Sequence, residues 1–199
     1  MTLLNFEDAC AGWDLEEPEQ SVLGGFWLEG DSLAPPCQTE MSIVQSILEF
    51  SDITQIDTVF DLGCGDGRIC ILASKMYGCH SVGVEIEADL IRKFRRNVAI
   101  HMNQKHEEDL VNVWEGDLRE LDLHSATLII LYLLPESIEA ITPMLTIALQ
   151  NGCRLVCNTW GPKTFVPIQQ CSAGQYHNVT LLKYDISSLP KGNIGLSTP

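Results

Sequence analysis

Three glycines at alternate positions, set between two apolar stretches, constrain the fold of this chain more than any other feature. They stand in Asp61-Leu62-Gly63-Cys64-Gly65-Asp66-Gly67. Residues 58–62 have the apolar character of a short buried strand, and residues 68–77 that of a helix. Glycines at such a junction permit a tight turn and let backbone amides approach a ligand, with the helix N-terminus directed at it. The pattern predicts a ligand-binding turn that links a strand to a helix.

The chain continues as an alternation of strand and helix patterns. We predict strands over 81–85, 110–114, 126–132, 153–158 and 179–184, and helices over 88–102 and 136–150, the latter bent at Pro143. Thr39 can cap a further helix that carries Ile43, Val44, Ile47 and Leu48 on one face. This alternation predicts an α/β fold with a Rossmann-like, doubly wound and mostly parallel sheet in a single domain.

Residues 1–36 differ in composition from the rest of the chain. They contain Trp13 and Trp27, end in Pro35-Pro36, and hold a cluster of acids: Asp14, Glu16, Glu17 and Glu19. We interpret this region as an irregular, acidic lead segment or lid with aromatic anchors. The α/β domain is then expected to span residues 37–199.

Charge and cysteine usage narrow the class of protein. The sequence has 27 acidic and 12 basic residues, for a net charge of −15. That charge attracts a basic protein or peptide and repels nucleic acid, although solubility alone is the alternative reason for it. The eight cysteines form no Cys-x-x-Cys pair and no histidine has metal-ligand spacing, so we expect reduced thiols and no metal. The acidic N-terminus and the short apolar runs predict no membrane insertion and a cytoplasmic location, with the nucleus as the alternative.

Glu85 makes the glycine turn more informative. It ends the second predicted strand, where a Rossmann-like fold places a carboxylate against the ribose hydroxyls of an adenosine. Dinucleotide enzymes use Gly-x-Gly-x-x-Gly, but the spacing here is Gly-x-Gly-x-Gly, with Asp61 opening the loop and Asp66 inside it. Two carboxylates would repel a pyrophosphate and attract a cationic sulfonium and an α-amino group. The loop therefore favours S-adenosylmethionine (SAM) over a nicotinamide dinucleotide.

The same residues resemble motif I of the class I SAM-dependent methyltransferases, and Gly83-Val84-Glu85 resembles the acidic site that follows it. Glu115-Gly116-Asp117-Leu118 is similar to the family segment in which an Asp meets the adenine amino group. The likeness covers roughly residues 35–160. It implies the class I methyltransferase fold and the following cofactor-binding set: Asp61, Gly63, Cys64, Gly65, Asp66, Gly67, Glu85, Ile86, Asp117, Leu118 and Leu131.

Residues 126–136, Ala-Thr-Leu-Ile-Ile-Leu-Tyr-Leu-Leu-Pro-Glu, lie where this family presents its acceptor motif. Enzymes that methylate adenine or glutamine typically carry Asn/Asp-Pro-Pro-Tyr/Phe there, and this chain does not. Together with Ala34-Pro35-Pro36 and the glycine turn, the stretch resembles the small lysine methyltransferases of the ATP synthase c subunit and adenine nucleotide translocase, and their bacterial relatives. Their usual Pro-Thr-Pro near the first helix is replaced here by Pro36-Cys37-Gln38-Thr39-Glu40. The resemblance implies a protein lysine as the acceptor.

Methyl transfer from a sulfonium is an in-line displacement, in which an enzyme positions the donor and a neutral acceptor. Tyr132 and Trp160 end or follow predicted strands, and we expect them to hold the amine by cation–π contact while Glu136 orients the incoming ammonium. Ordinary packing of the two rings, and a helix-dipole role for Glu136, are the alternatives. Two other functions stay open: methylation of a small molecule, and a non-catalytic SAM-binding interaction subunit.

Overall fold

The computed structural model describes residues 4–13, 38–102, 107–174 and 177–190. Its helices are α1 (Phe6–Ala9), α2 (Met41–Phe50), α3 (Arg68–Tyr77), α4 (Ala88–His101) and α5 (Pro135–Gln150). Its strands are β1 (Thr58–Leu62), β2 (His80–Glu85), β3 (Val111–Glu115), β4 (Leu128–Leu131), β5 (Arg154–Asn158), β6 (Gln169–Ala173) and β7 (Val179–Tyr184).

All seven strands join one sheet in the order β3-β2-β1-β4-β5-β7-β6. The five strands from β3 to β5 are parallel, whereas β7 runs antiparallel to both β5 and β6. This arrangement confirms the expected doubly wound, mostly parallel sheet. The strand order reverses between β1 and β4, and open α/β sheets bind ligands at the carboxyl ends of the strands beside such a reversal.

Alternating side chains divide the core between the two faces of the sheet. On one face, Phe60 of β1 and Leu131 of β4 pack with α5 residues such as Leu145. On the other face, Val59 of β1 and Ile130 of β4 belong to the cluster formed with α2 and α3. Asp61 follows Phe60 in β1, so its side chain lies on the α2 and α3 face.

Most elements confirm the sequence prediction. β1, α3 and β7 have the predicted bounds, and the other predicted strands and helices differ from the prediction by at most two residues at either end. α5 continues through Pro143 and begins at Pro135, in the first helical position that proline favours. β6 was expected only as part of an undivided closing β segment, because Gln-Gln-Cys-Ser-Ala lacks the alternation of apolar and polar residues that marks a strand.

The start of α2 contradicts one expectation. The N-cap is Glu40, and it makes no side-chain capping bond, so the predicted cap by Thr39 is wrong. The backbone oxygen of Thr39 instead accepts a hydrogen bond from Arg68 Nη1 at 2.7 Å. A contact from a distant helix thus fixes the backbone that precedes α2, without capping the free amides of its first turn.

Part of the lead segment is regular rather than irregular. α1 begins after Asn5, whose side chain accepts from the Asp8 amide at 2.8 Å, and it packs on α3 through the buried residue Ala9. Trp13 stacks on His101 with ring centroids 4.2 Å apart. Trp27 and the acidic cluster lie outside the described residues.

The seven cysteines in the described ranges are all free thiols, and six of them are buried. Among the helices described, none combines the length and apolar character that crossing a membrane requires.

Candidate active site

The glycine loop (residues 63–67) joins β1 to α3 at the reversal of strand order. Leu62 is in register with Val84 of β2 and Leu131 of β4, so the loop lies between the ends of those two strands. The α3 N-terminus follows directly at Arg68, with Gly67 as its N-cap. The loop therefore occupies the position at which this fold binds a ligand.

The three loop glycines have positive φ angles, which glycine adopts without strain, but their surroundings differ. A Cβ on Gly67 would lie 2.2 Å from the ring of Phe94, so this glycine is required for the packing of α4. A Cβ on Gly65 would meet no atom within 4 Å. Gly67 is therefore a packing glycine, and Gly65 borders the open space that a cofactor can fill.

Cys64 is buried between these glycines and belongs to a cluster with Phe94 of α4. Its Sγ lies 2.5 Å from the position of a Cβ on Gly83, so a side chain in the middle of β2 would displace the loop. The amides of Gly63 and Cys64 both donate to the Val84 carbonyl, at 2.9 and 3.1 Å. Packing and backbone bonds thus hold the loop against β2.

Glu85 connects the end of β2 to the loop through its side chain. One carboxylate oxygen accepts from the Gly65 amide at 3.0 Å, and the other accepts from the amides of Ile86 and Glu87 at 2.8 and 3.0 Å. The residue is 8% exposed. Glu85 therefore presents an oriented carboxylate at the loop, where the sequence predicts contact with ribose hydroxyls.

Asp61 is 4% exposed, and no described residue donates a hydrogen bond to its carboxylate. Burial raises the pKa of Asp61 to about 8, and the nearby carboxylates of Glu85 and Asp66 add to the increase. A cationic ligand group beside Asp61 would supply the charge that stabilises the ionised carboxylate. The residues present therefore fit SAM: an open cradle at Gly65, a buried acid that receives no hydrogen bond from a described residue, and an oriented carboxylate at Glu85.

Asp66 is arranged differently from the sequence expectation. Its two oxygens accept from Arg68 Nε at 2.9 Å and from Arg68 Nη2 at 2.7 Å. The two loop acids are therefore not both available to a cationic ligand, and Asp61 alone has a carboxylate that no described residue neutralises. The signal that could have revealed this pair is a cation in the first turn of a helix, where the helix dipole disfavours it.

Asp117 is also engaged by a neighbouring arginine. Its carboxylate accepts from the side chain and the backbone amide of Arg119, and these hydrogen bonds lower the pKa of Asp117 to about 2. Asp117 stays ionised over the physiological range and can accept from an adenine amino group only by sharing its oxygens with Arg119.

The three apolar residues of the predicted cofactor set have unlike surroundings. Ile86 is 62% exposed next to Glu85, whereas Leu118 and Leu131 are buried in the core cluster that includes α5. Leu131 is fully buried and presents no side-chain surface to a ligand in this structure.

Two of the three predicted acceptor residues, Tyr132 and Trp160, meet at the ends of β4 and β5. The rings of Tyr132 and Trp160 stack with their centroids 6.0 Å apart and their planes 12° from parallel. They form one shared aromatic surface, of which Trp160 is 38% exposed. Glu136 is exposed in the first turn of α5, close in sequence to Tyr132.

A strained turn that the sequence does not signal positions Trp160. Thr159 has a φ of 67°, which is rare for a β-branched residue, and the Trp160 amide donates to the Asn158 carbonyl across it at 2.8 Å. The Thr159 amide donates to the Thr180 carbonyl of β7 at 2.8 Å, which anchors the turn. Backbone strain of this kind concentrates at functional sites.

No group of three or more His, Cys, Asp or Glu side chains in the described ranges could hold a metal ion. The arrangement of the described residues is that of a cofactor cradle beside an aromatic surface.

Known proteins match this chain in sequence and in structure. The family model of the ANTKMT methyltransferase domain matches residues 61–169. A protein-lysine N-methyltransferase of Saccharolobus islandicus (strain REY15A) is 32% identical over 141 residues, which cover 68% of this chain and 85% of that protein. A ribosomal protein L11 methyltransferase of Clostridium botulinum (strain Eklund 17B / Type B) is 27% identical over 95 residues, covering 48% of this chain and 29% of that protein.

Among solved structures, an RNA methyltransferase from Salinibacter ruber in complex with S-adenosyl-L-homocysteine (SAH) superposes with a TM-score of 0.68 and 31% sequence identity. The superposition covers 78% of this chain and 97% of that one. The sheet topology, the glycine loop with Glu85 and these matches agree: the chain belongs to the ANTKMT methyltransferase domain family and is a SAM-dependent methyltransferase.

Proposed function

We propose that this enzyme transfers the methyl group of SAM to the ε-amine of a lysine in a basic protein. The observation that carries the proposal is the stacked pair Tyr132 and Trp160, which lies at the strand ends next to the glycine loop. The 32% identity to a protein-lysine N-methyltransferase supports the same acceptor.

An aromatic surface suits an amine that is cationic before and after methylation. A lysine ammonium over a Trp or Tyr face gains about 0.5–2 kcal/mol, depending on how far it is desolvated. Deprotonating a lysine of pKa about 10.4 near neutral pH costs about 4 kcal/mol. The positive sulfonium of the cofactor and a partly dry site would both reduce that cost. Glu136, in the first turn of α5, is our candidate for orienting the ammonium on arrival.

The overall charge favours a basic partner. With a net charge of −15, the chain attracts a lysine-rich surface and repels a phosphate backbone. The outward cations of α4 are also partly neutralised, since Arg92 pairs with Asp89 and Arg95 pairs with Glu115 of β3. These pairs neutralise two of the four outward cations of α4, which reduces its attraction for nucleic acid.

RNA methylation is the second candidate, and the relative from Salinibacter ruber is the observation in its favour. At 31% identity it is about as similar to this chain as the protein-lysine enzyme is.

The test is to incubate the full chain with tritiated SAM and an extract of its source cells. Macromolecules are then separated from small molecules. One portion of the macromolecules is digested with protease and another with ribonuclease. We expect macromolecular label that protease releases and ribonuclease does not. Asp61→Asn, which removes the acid beside the cofactor, is the matched control and should abolish the label.

Each alternative has its own outcome. Label released by ribonuclease would replace the lysine proposal with RNA methylation. Label confined to the small-molecule fraction would indicate a metabolite as acceptor. No label in any fraction, with SAH still bound in calorimetry, would indicate a non-catalytic SAM-binding subunit.

A further inference from the structure

Arg68 makes contacts that neither the glycine-loop motif nor the proposed acceptor chemistry requires. It occupies the first position of α3, where the positive end of the helix dipole disfavours a cation. Its guanidinium nevertheless uses all three nitrogens: two donate to Asp66, and Nη1 donates to the Thr39 carbonyl at 2.7 Å. The side chain is 15% exposed, so these bonds are largely shielded from water.

Asp66 is fixed from more than one side. Besides its two bonds from Arg68, its backbone oxygen accepts from Asn97 Nδ2 of α4 at 3.0 Å. Its side chain is 10% exposed. Asp66 is therefore a rigid partner for Arg68. Through Arg68, the position of the glycine loop can restrain Thr39, whose carbonyl accepts from Nη1.

That third nitrogen holds the start of α2. The helix lacks a side-chain cap, and its first turn is closed by the Ile43 and Val44 amides, which donate to the Glu40 carbonyl at 3.0 and 2.9 Å. Thr39 directly precedes this N-cap. An uncapped helix end frays readily. A charged donor on the preceding carbonyl does not cap the free amides, but it fixes the backbone that enters the helix.

We propose that Arg68 is a positioning residue that ties the start of α2, residues 38–40, to the glycine loop, so that the segment entering the helix is held beside the cofactor. The proposal concerns the cofactor side of the site. It does not depend on whether the acceptor is protein, RNA or a small molecule.

Two variants of the full chain separate this role from simple charge pairing. Asp66→Asn removes the negative charge but keeps an amide oxygen that can still accept from Arg68, so Arg68 stays anchored to the loop and retains its bond to Thr39. The double variant Arg68→Gln/Asp66→Asn removes both charges and the bond to Thr39, without leaving an unpaired buried charge that would destabilise the fold. Hydrogen exchange of the Ile43 and Val44 amides then reports fraying of the first turn of α2.

We expect the Ile43 and Val44 amides to exchange in Asp66→Asn as in the wild type. In the double variant they should exchange about tenfold faster, the size expected from the loss of one hydrogen bond with a charged donor. SAH affinity, measured by calorimetry, should be about threefold to tenfold weaker in the double variant than in Asp66→Asn, because residues 38–40 must be ordered on binding. SAH is the suitable probe because it lacks the sulfonium charge that an unpaired Arg68 would repel.

Equal exchange rates and equal SAH affinities in the two variants would overturn the proposal and leave Arg68 as the ion-pair partner of Asp66 only. If the double variant does not fold, Arg68→Lys provides the same test. A lysine ammonium occupies one point, so it can neutralise Asp66 but cannot also reach Thr39 as the wide guanidinium does. The Ile43 and Val44 amides of Arg68→Lys should again exchange faster, and wild-type rates there would equally contradict the tie.

Discussion

The carboxylate of Glu85 accepts a hydrogen bond from the Gly65 amide at 3.0 Å, across the gap between the end of β2 and the glycine loop. The bond joins the residue predicted to hold ribose to the glycine that borders the open cradle. Glu85 therefore shapes the loop through this bond, and we expect its oxygens to accept the ribose hydroxyls when the cofactor binds.

Replacing Glu85 by Gln should weaken SAH binding about 30-fold, or about 2 kcal/mol, because one acceptor oxygen becomes a donor facing the Gly65 amide. Calorimetric titration measures this affinity, and thermal unfolding checks that the fold is retained. Glu87→Gln removes the same charge from an exposed position two residues away and serves as the control. Equal affinities for the two variants would show that Glu85 does not contact the cofactor.

Asp61 should release a proton when SAM binds near neutral pH. Burial, with Glu85 and Asp66 nearby, raises the pKa of Asp61 to about 8, so the free enzyme carries a neutral acid at pH 7. The α-amino group and sulfonium of SAM favour the ionised form. Calorimetry at pH 7 in two buffers of different ionisation enthalpy should give up to about one proton released per SAM, and few or none well above pH 8. Buffer-independent heats at pH 7 would contradict the assignment.

The same acid makes the free enzyme less stable as pH rises. Because the folded pKa of Asp61 is raised above its unfolded value of about 3.9, its contribution is fully favourable below that value. The contribution is lost as pH rises through the folded pKa of about 8. Asp61→Asn should therefore unfold at a higher temperature than the wild type at pH 8–9, while binding SAM poorly. A lower melting temperature for the variant at that pH would count against a buried, unpartnered carboxylate.

Alanine at Gly65 and at Gly67 should give different defects. Both positions have positive φ, which costs an L-residue about 1–2 kcal/mol. At Gly67 the added methyl would also meet Phe94 at 2.2 Å, so we expect severe loss of folded protein. At Gly65 it points into open space, so the variant should fold but lose SAH affinity. Circular dichroism and calorimetry distinguish these outcomes. The reverse pattern would show that the space for the cofactor lies at Gly67 and not at Gly65.

Much of this fold follows from local pattern. β1 and α3 have the bounds read from their apolar residues, because each buries a continuous set of side chains in the sheet core. The start of α2 could not be predicted from local sequence, since it has no side-chain cap and its entering backbone is fixed by Arg68, 29 residues away. β6 is held in the sheet by pairing with β7. Its own sequence has no alternation of apolar and polar residues from which a strand could be predicted.

The site was predictable where one residue type serves one chemical need. Glycines at a turn, an acid after the next strand and aromatic residues at strand ends all carry recognisable spacing. Ion pairs do not, because any acid can pair with any nearby cation. Arg68 and Arg119 each lie two residues after the acid they engage, and their hydrogen bonds to Asp66 and Asp117 are seen in the structure. Only Arg68 has a sequence signal, its place in the first turn of a helix.

Removing the Trp160 ring should weaken binding of the acceptor and leave binding of the cofactor unchanged. Trp160→Ala deletes half of the stacked pair, and we expect the acceptor KM to rise about tenfold with SAH affinity unaltered. Val166→Ala, at an apolar position that is 71% exposed outside the site, is the control. A pure loss of stability with unchanged KM would make Trp160 a packing residue.

Asp57 should stabilise the fold against acid. It lies before β1, at the opposite end of that strand from the glycine loop. Burial alone would raise its pKa, but hydrogen bonds from Thr127, Thr54 and Arg154 outweigh that effect and lower it. Its contribution is thus present above the unfolded pKa of about 3.9 and lost as pH falls through the folded value. Asp57→Asn should cost about 2 kcal/mol at pH 7 and less at pH 3, measured by urea denaturation. Glu108→Gln, at an exposed carboxylate, should cost almost nothing, and equal costs would contradict the network.

Lysine methylation can be tested at the modified residue itself. The most direct measurement is to locate the methyl group by tandem mass spectrometry in the macromolecule labelled in source-cell extract, with Asp61→Asn as the blank. We predict mass increments of one, two or three methyl groups on a lysine side chain of a basic protein. Methyl groups found on a nucleoside, on another side chain or on a small metabolite would contradict the account.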